Sequence, residues 1–122
     1  MKAAGPNVTR FADMFAALGA EPRLRIVRLL LSAHPDGLVV NEIQAETGVG
    51  GSTLSHHLEK LKNDELVTAE REKAFIRYRA NTKGLEDLLG FLYAECCTRN
   101  RAVEPKNIAG LRRKDGSCTP KT

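Results

Sequence analysis

Ser52-Thr-Leu-Ser-His-His-Leu-Glu-Lys-Leu-Lys-Asn63 reads as a helix with two unlike faces. Leu54, Leu58 and Leu61 fall on one side when each residue advances by about 100°. Ser52, Thr53, His56, Glu59, Lys60 and Asn63 lie opposite, with short donors and acceptors gathered near the start. A helix whose first turns meet base edges in a major groove needs such a face. Its N-terminus adds free N–H groups and a positive partial charge for phosphate.

The chain on either side gives this helix its context. Upstream, Val40 to Thr47 reads as a short helix ended by Gly48, with Gly50-Gly51 as a turn and Ser52 as the expected N-cap of the next helix. Downstream the apolar period drops from about 3.6 to 2. Leu66–Arg71 and Phe75–Ala80 then read as strands joined by Glu72-Lys73-Ala74. Two helices, a glycine turn and a hairpin make a helix-turn-helix with a wing. The hairpin carries Arg71, Lys73, Arg77 and Arg79, which flank a duplex only where their strand faces point outward.

Further out, Val8, Phe11, Ala12, Phe15 and Leu18 predict a helix over 8–19, ended by Gly19 near the left-handed region. Glu21-Pro22 opens a second helix with Leu24, Val27, Leu30 and Leu31 as its buried face, stopped by His34-Pro35-Asp36-Gly37. Thr82 is the expected cap of a last helix from Lys83 to about Thr98, striped by Leu85, Leu88, Leu89, Leu92 and Cys96. The expected fold is mainly α with a small β-hairpin, in the order α-α-α-α-β-β-α. Residues 8–98 form the domain, and 99–122 a basic, flexible tail. His57, at the edge of the apolar face, reads as a packing residue; His34 reads as solvated.

Totals narrow the function. A chain of 122 residues, 42% hydrophobic and 28% charged, suits one soluble domain. The net charge of +4 comes wholly from residues 99–122, which alone carry +5, so the expected domain is close to neutral. A solvated tail is one reading of that segment, and weak phosphate contact the other. The first residues hold Gly5 and Pro6 and no apolar run, and Ile26–Leu31 is too short to span a bilayer. A cytoplasmic protein without membrane contact is expected. No Ser/His/Asp or Cys/His arrangement, metal cluster or phosphate loop points to an enzyme.

The stretch Gly51-Ser-Thr-Leu-Ser-His-His-Leu-Glu-Lys-Leu61 with the hairpin resembles the ArsR/SmtB family of metal-responsive repressors. So does Leu18-Gly-Ala-Glu-Pro-Arg-Leu-Arg-Ile26, and the likeness runs over roughly Thr9 to Thr98. The resemblance implies a homodimer on a palindromic operator, released when an inducer binds. Ser52, Ser55 and His56 fall on the family's DNA-contacting positions. Gly51 replaces a frequent Gln, and Ala74 stands where the wing commonly has Gly. The first and last helices, through Phe11-Phe15-Leu18 and Leu85-Leu89-Leu92, are the expected dimer faces.

The family's inducer sites can be sought in turn. The arsenic motif on the first helix of the pair needs cysteine, and Asn41–Thr47 has none. The zinc set on the last helix needs His beside its carboxylates; Glu86 and Asp87 are present, but no His follows His57. Cys96 and Cys97 remain, soft donors for As(III) or Sb(III), and resemble the vicinal pair of some arsenic-responsive members. Cys118 is the third thiol available for a pyramidal site, across a stretch whose closure costs little entropy. Cys96 also lies within about 20° of the Leu85 stripe and fits a small core residue, whereas Cys97 does not. The DNA-contacting set is thus Ser52, Thr53, Ser55, His56, Lys60, Arg71, Lys73 and Arg77. The metalloid set is Cys96, Cys97 and Cys118. An oxidant- or reactive-sulfur-sensing repressor using the same thiols is the alternative, and a winged helix that binds only protein is a third reading.

Overall fold

The computed structural model describes residues 5–99 and 103–108. Its elements are α1 (Gly5–Leu18), α2 (Glu21–Ser32), β1 (Leu38–Val39), α3 (Val40–Thr47), α4 (Gly51–Asn63), β2 (Val67–Glu72), β3 (Phe75–Ala80) and α5 (Thr82–Arg99). A 3₁₀ turn at Pro105–Asn107 follows. The expected order holds with one addition, the strand β1. The chain falls into two compact units, Met1–Leu88 and Leu89–Thr122. Their boundary lies inside α5, after Leu88, the last of its described side chains in the core.

In the first unit the core is built from Phe11, Met14 and Ala17 of α1, Ile26, Val27 and Leu30 of α2, Ile43, the three leucines of α4, Leu66, Val67, Ala80 and Leu88. Two expected stripes are rotated. On α1, Met14 and Ala17 join Phe11 inside, while Val8, Ala12 and Phe15 face out. On α2, Ile26 is buried and Leu24 and Leu31 are exposed. Both helices carry apolar residues around more than half their circumference, so periodicity alone fits either face.

Connections explain the other differences. Gly19 stays out of the left-handed region; the turn is made by Ala20 in extended conformation, and Pro22 opens α2 as expected. After α2, Gly37 (φ 76°) lies against β3: a Cβ there would meet the Tyr78 carbonyl oxygen at 2.5 Å. That close pass lets Leu38 and Val39 pair with Tyr78 and Arg77, completing an antiparallel sheet of order β1-β3-β2. A two-residue strand has no period to detect. Val39 leads into α3, where Glu42 Oε1 accepts the Val39 N–H at 3.0 Å. Gly48 closes α3 in the left-handed conformation.

α4 begins at Gly51, with Gly50 and not Ser52 at its N-cap. Glycine is tolerated there, and Ser52 moves into the first turn with its hydroxyl outside any cap bond. At the other end, the Leu66 N–H reaches Leu61 O (2.9 Å) and the Glu65 N–H reaches Lys62 O (3.0 Å). With Glu65 at φ 64° this is a Schellman motif, and both Leu61 and Leu66 are fully buried. Leu66 is therefore committed to the cap, and β2 starts at Val67 and runs to Glu72. Glu72 pairs with Phe75, so the turn shrinks to Lys73-Ala74, with Lys73 taking positive φ (54°).

α5 is capped by Asn81, not Thr82: its Oδ1 accepts the Gly84 N–H at 3.1 Å. The same side chain donates Nδ2–H to Glu65 O (2.8 Å), and its backbone N–H reaches Leu66 O (3.0 Å). Arg10 of α1 closes on the Glu65 carboxylate at 2.9 Å.

Taken by itself, the second unit holds the rest of α5 and the 3₁₀ turn. Leu89 and Leu92, expected on a dimer face, are 64% and 55% exposed. Cys96 and Cys97 occupy the end of α5, which is helical through Arg99, but their side chains lie outside the described residues, as does Cys118. No helix among the described residues is long and apolar enough to cross a membrane.

Gly84 tests the junction. A Cβ at this position would sit 2.7 Å from Glu65 O and 2.8 Å from Asn81 Nδ2. Gly84→Ala is expected to cost about 1–3 kcal/mol, as overpacking does. Urea unfolding checks it, and a midpoint equal to wild type would show that the junction yields.

Candidate nucleic-acid interface

On α4 the buried leucines fix the helix, and Ser52, Thr53, Ser55, His56, Glu59, Lys60 and Asn63 are all exposed. The outer face is therefore assembled as the spacing predicts. Ser52, Thr53, Ser55 and His56 occupy the first two turns. Lys60 stands near the end, with Nζ 3.2 Å from Asp64 Oδ2, an ion pair whose direction makes no hydrogen bond. Lys62 and Glu59 are 3.6 Å apart. The acids near the end of the helix are thus partly neutralised, and its start carries no carboxylate.

His57 is half-buried beside this face. Its Nδ1 is 3.3 Å from Arg23 Nη1, while Arg23 Nε donates to Ala17 O at 2.7 Å. One guanidinium so joins the end of α1 and α2 to α4. Burial, then Arg23, then His56 lower the His57 pKa below its ordinary 6.5. The neutral ring, with Nδ1 as acceptor, fits the Arg23 contact. His57 is a packing residue, as its position at the edge of the apolar stripe predicts, and His34 is exposed.

The wing sorts its cations by face. In the register Thr68↔Arg79, Glu70↔Arg77, Glu72↔Phe75, these six residues share one face. There Arg79 Nη1 bonds Glu70 Oε1 at 2.6 Å, and Arg77 Nε bonds both Glu72 oxygens at 3.0 Å. The same arginines donate to Pro35 O (3.0 Å) and Gly37 O (3.4 Å), tying down the loop before β1. Arg71 belongs to the opposite face, across from Ile76. Three wing arginines therefore do not form one outward row. Arg71 and Lys73 are exposed and make no ion pair among the described residues. The Glu70 and Glu72 partners, present in the sequence on the right strand faces, were the signal that reading by charge alone passes over.

No three His, Cys, Asp or Glu side chains gather as a metal group among the described residues. Asp87, one of the two carboxylates of the zinc set on α5, instead pairs with Lys83 at 2.9 Å.

A family model described as bacterial regulatory protein, arsR family, matches residues 21–69, the span from α2 through the first strand residues of the wing. Over those residues the chain is similar to the arsR family. It is similar to the transcriptional repressor SdpR of Bacillus subtilis (strain 168), 28% identical over 80 residues, covering 66% of this chain and 86% of SdpR. It is also similar to the homodimeric winged helix-turn-helix DNA-binding domain Mb0332 from Mycobacterium bovis, a possible ArsR-family transcriptional regulator. That structure gives 28% identity and a TM-score of 0.61, covering 84% of this chain and 93% of Mb0332. A possible transcriptional regulator for arsenical resistance gives 28% identity and a TM-score of 0.59, covering 69% of this chain and 84% of that one. By fold and by these likenesses the chain is similar to winged-helix transcriptional regulators, whose fold binds DNA.

Two measurements follow from the geometry. Because His57 binds its proton less readily when folded, its contribution is complete above the ordinary 6.5 and is lost as pH falls through that value toward the folded pKa. Stability is expected to decline between pH 7.5 and 5 more steeply in wild type than in His57→Gln; equal pH profiles would exclude His57 as the cause. For DNA, Arg71→Ala and Lys73→Ala are each expected to shallow the logarithmic salt slope by about one unit. Arg77→Ala should change it less, since Glu72 already neutralises that guanidinium. A slope for Arg77→Ala as shallow as for Arg71→Ala would mean that the Glu72 pair opens on DNA.

Proposed function

We propose that this regulator is a cytoplasmic homodimeric repressor that seats α4 in the major groove of a palindromic operator. In the same proposal, As(III) or Sb(III) held by Cys96 and Cys97 releases it. The observation that carries the first part is α4 itself. Leu54, Leu58 and Leu61 are at most 1% exposed, so the helix is held rigidly while Ser52, Thr53, Ser55 and His56 stay open to solvent. Ser52, freed from capping, and His56 reach for base edges, with Thr53 and Ser55 beside them. Arg71, Lys73 and, on opening its Asp64 pair, Lys60 meet phosphates. The names of the relatives support this reading: SdpR is a repressor, and Mb0332 is homodimeric. Residues 8–98 supply DNA binding and dimerisation, with 99–122 as a basic tail.

Dimerisation is supported by apolar surface left outside. Val8 and Phe15 of α1 are 38% and 39% exposed, and Leu89 and Leu92 of α5 more so. Phe11, expected at that face, is in the core, so the α1 contribution shifts to Val8 and Phe15.

For the inducer, the donor chemistry fits: two neighbouring thiols in the last turn of α5 are soft ligands for a thiophilic ion. Cys118 completes a three-thiolate set. One structural relative is named for arsenical resistance. A bound metalloid would supply a rigid link between the two thiolates. What the chain contributes is the helix end that this link reshapes.

Gel shifts on the DNA upstream of the chain's own gene, with and without arsenite, test both halves. Wild type is expected to bind and be released by arsenite, and Ser52→Ala or His56→Ala to weaken binding by roughly 1–3 kcal/mol. Cys96→Ser and Cys97→Ser should bind normally and resist release. Unchanged affinity in both α4 variants would sink the recognition assignment. Arsenite release of the Cys variants would sink the sensing one. Release by oxidant alone, with a disulfide or sulfane adduct seen by mass spectrometry, would replace metalloid by redox sensing.

A further inference from the structure

Asp64 puts a carboxylate where α4 least favours one. It is the residue on which the helix ends, beside carbonyls whose partial charge is negative. Its side chain is only 14% exposed, and Oδ2 is closed to solvent without a hydrogen-bond donor among the described residues. The cap itself does not need the carboxylate. The bonds that close α4 here run from the Asp64 backbone N–H to the carbonyls of Lys60 and Lys62. A buried oxygen left unsatisfied calls for a reason. Among the described residues its charge partner is Lys60, with Nζ 3.2 Å away and a side chain 46% exposed on the outer face. The other ion pair of α4 is of a different kind. Glu59 and Lys62 are 3.6 Å apart and both well exposed, so either is given up at little cost.

We propose that Asp64 is a restraint on Lys60 and so a positioning residue that sets how tightly α4 holds DNA. This rests on the DNA-binding reading above. Lys60 Nζ reaches a phosphate only by leaving Asp64 Oδ2, an oxygen closed to solvent, without its counter-charge. Stranding a charge in that way is costly, and the cost offsets most of the phosphate contact. Arg71 and Lys73, exposed and without an ion pair among the described residues, meet phosphate with no such loss. Lys60 therefore adds to the salt dependence of binding while adding little to its strength. Affinity stays below what the count of cations implies, which suits a protein that has to leave its site.

The test uses the full chain and a duplex enriched by the wild-type protein from a random-sequence pool, with affinity read by fluorescence anisotropy over a salt series. Asp64→Asn keeps the shape and removes the charge. It is expected to bind about 3- to 10-fold tighter, between the effect of a surface pair and that of a buried one. Its salt slope should equal wild type, because the same phosphates are met. Lys60→Met should shallow the slope by about one unit yet bind within about 2-fold of wild type at physiological salt, since contact and cost are lost together. In the Lys60→Met background, Asp64→Asn should bring no gain. Circular dichroism confirms that each variant is folded. An equal gain in both backgrounds would overturn the restraint and make Asp64 a direct repeller of phosphate. Unchanged affinity in Asp64→Asn would overturn it too. So would a loss in Lys60→Met as large as in Lys73→Ala, a result that needs no Asp64 variant to fold. A wild-type protein that enriches no duplex would overturn the DNA-binding reading as well, and is distinguished by that failure.

Discussion

The side chain of Asn81 is the point on which the DNA-facing part of the molecule turns. It accepts from Gly84 to start α5 and donates to the carbonyl of Glu65, the residue that ends α4. Its own N–H bonds Leu66, where the chain leaves for the wing. Each such bond contributes only about 0.5–1.5 kcal/mol net. Together, though, they set the exit of α4, the entry of β2 and the start of α5 at one place. Glu65 pays for its left-handed backbone by making the junction possible. The Schellman bonds, the Asn81 contact and the Arg10 ion pair all use it. Gly84 is the matching constraint on the other side, since only a residue without Cβ lets α5 lie against the Glu65 carbonyl.

Charge in this chain works by arrangement and not by total. Residues 1–98 are nearly neutral, so no broad positive field draws DNA to the folded part. On the wing, the Glu70–Arg79 and Glu72–Arg77 pairs are largely surface pairs, and such pairs add little stability. Their effect is to neutralise two carboxylates on the wing while fastening the 35–37 loop to β3. The cations left over, Arg71 and Lys73, are few but unopposed. In the proposed complex, a regulator built this way would gain modest non-specific affinity and rely on the α4 face for the rest.

The fold was legible where a residue's local chemistry and its tertiary role agree. The α4 leucines, the α3 stop at Gly48 and the change of period at the wing belong to this class. Boundaries moved at two helix starts. Ser52 is a better cap than Gly50 in isolation, yet the helix starts earlier; Thr82 yields to Asn81 because Asn81 also serves Glu65. The α1 and α2 stripes were ambiguous because both helices are apolar on more than one side. In the site, composition revealed the α4 polar face but not the wing's division. Which arginine is free depends on register, and register places Glu70 and Glu72 diagonally from Arg79 and Arg77.

The same contacts indicate how a change at the surface of α1 would reach α4. α1 packs against α2 and α4, and two polar links reinforce that packing at opposite ends. Arg10 holds Glu65 at the C-terminal cap of α4, and Arg23 bridges the Ala17 carbonyl to His57 in its middle. Val8 and Phe15, on the exposed side of α1, are each within one turn of a residue in these links or in the core beneath them. A displacement of α1 in the proposed dimer therefore cannot leave α4 in place without stretching Arg10–Glu65 or the Arg23 bridge from Ala17 to His57. Both links are partly exposed and weak, so they do not lock the helix. A coupling of 1–3 kcal/mol suffices for a 5- to 150-fold change in affinity. Two weak bonds and a shared core are enough to carry it, and a stiffer connection would resist the shift that the proposed release of DNA requires.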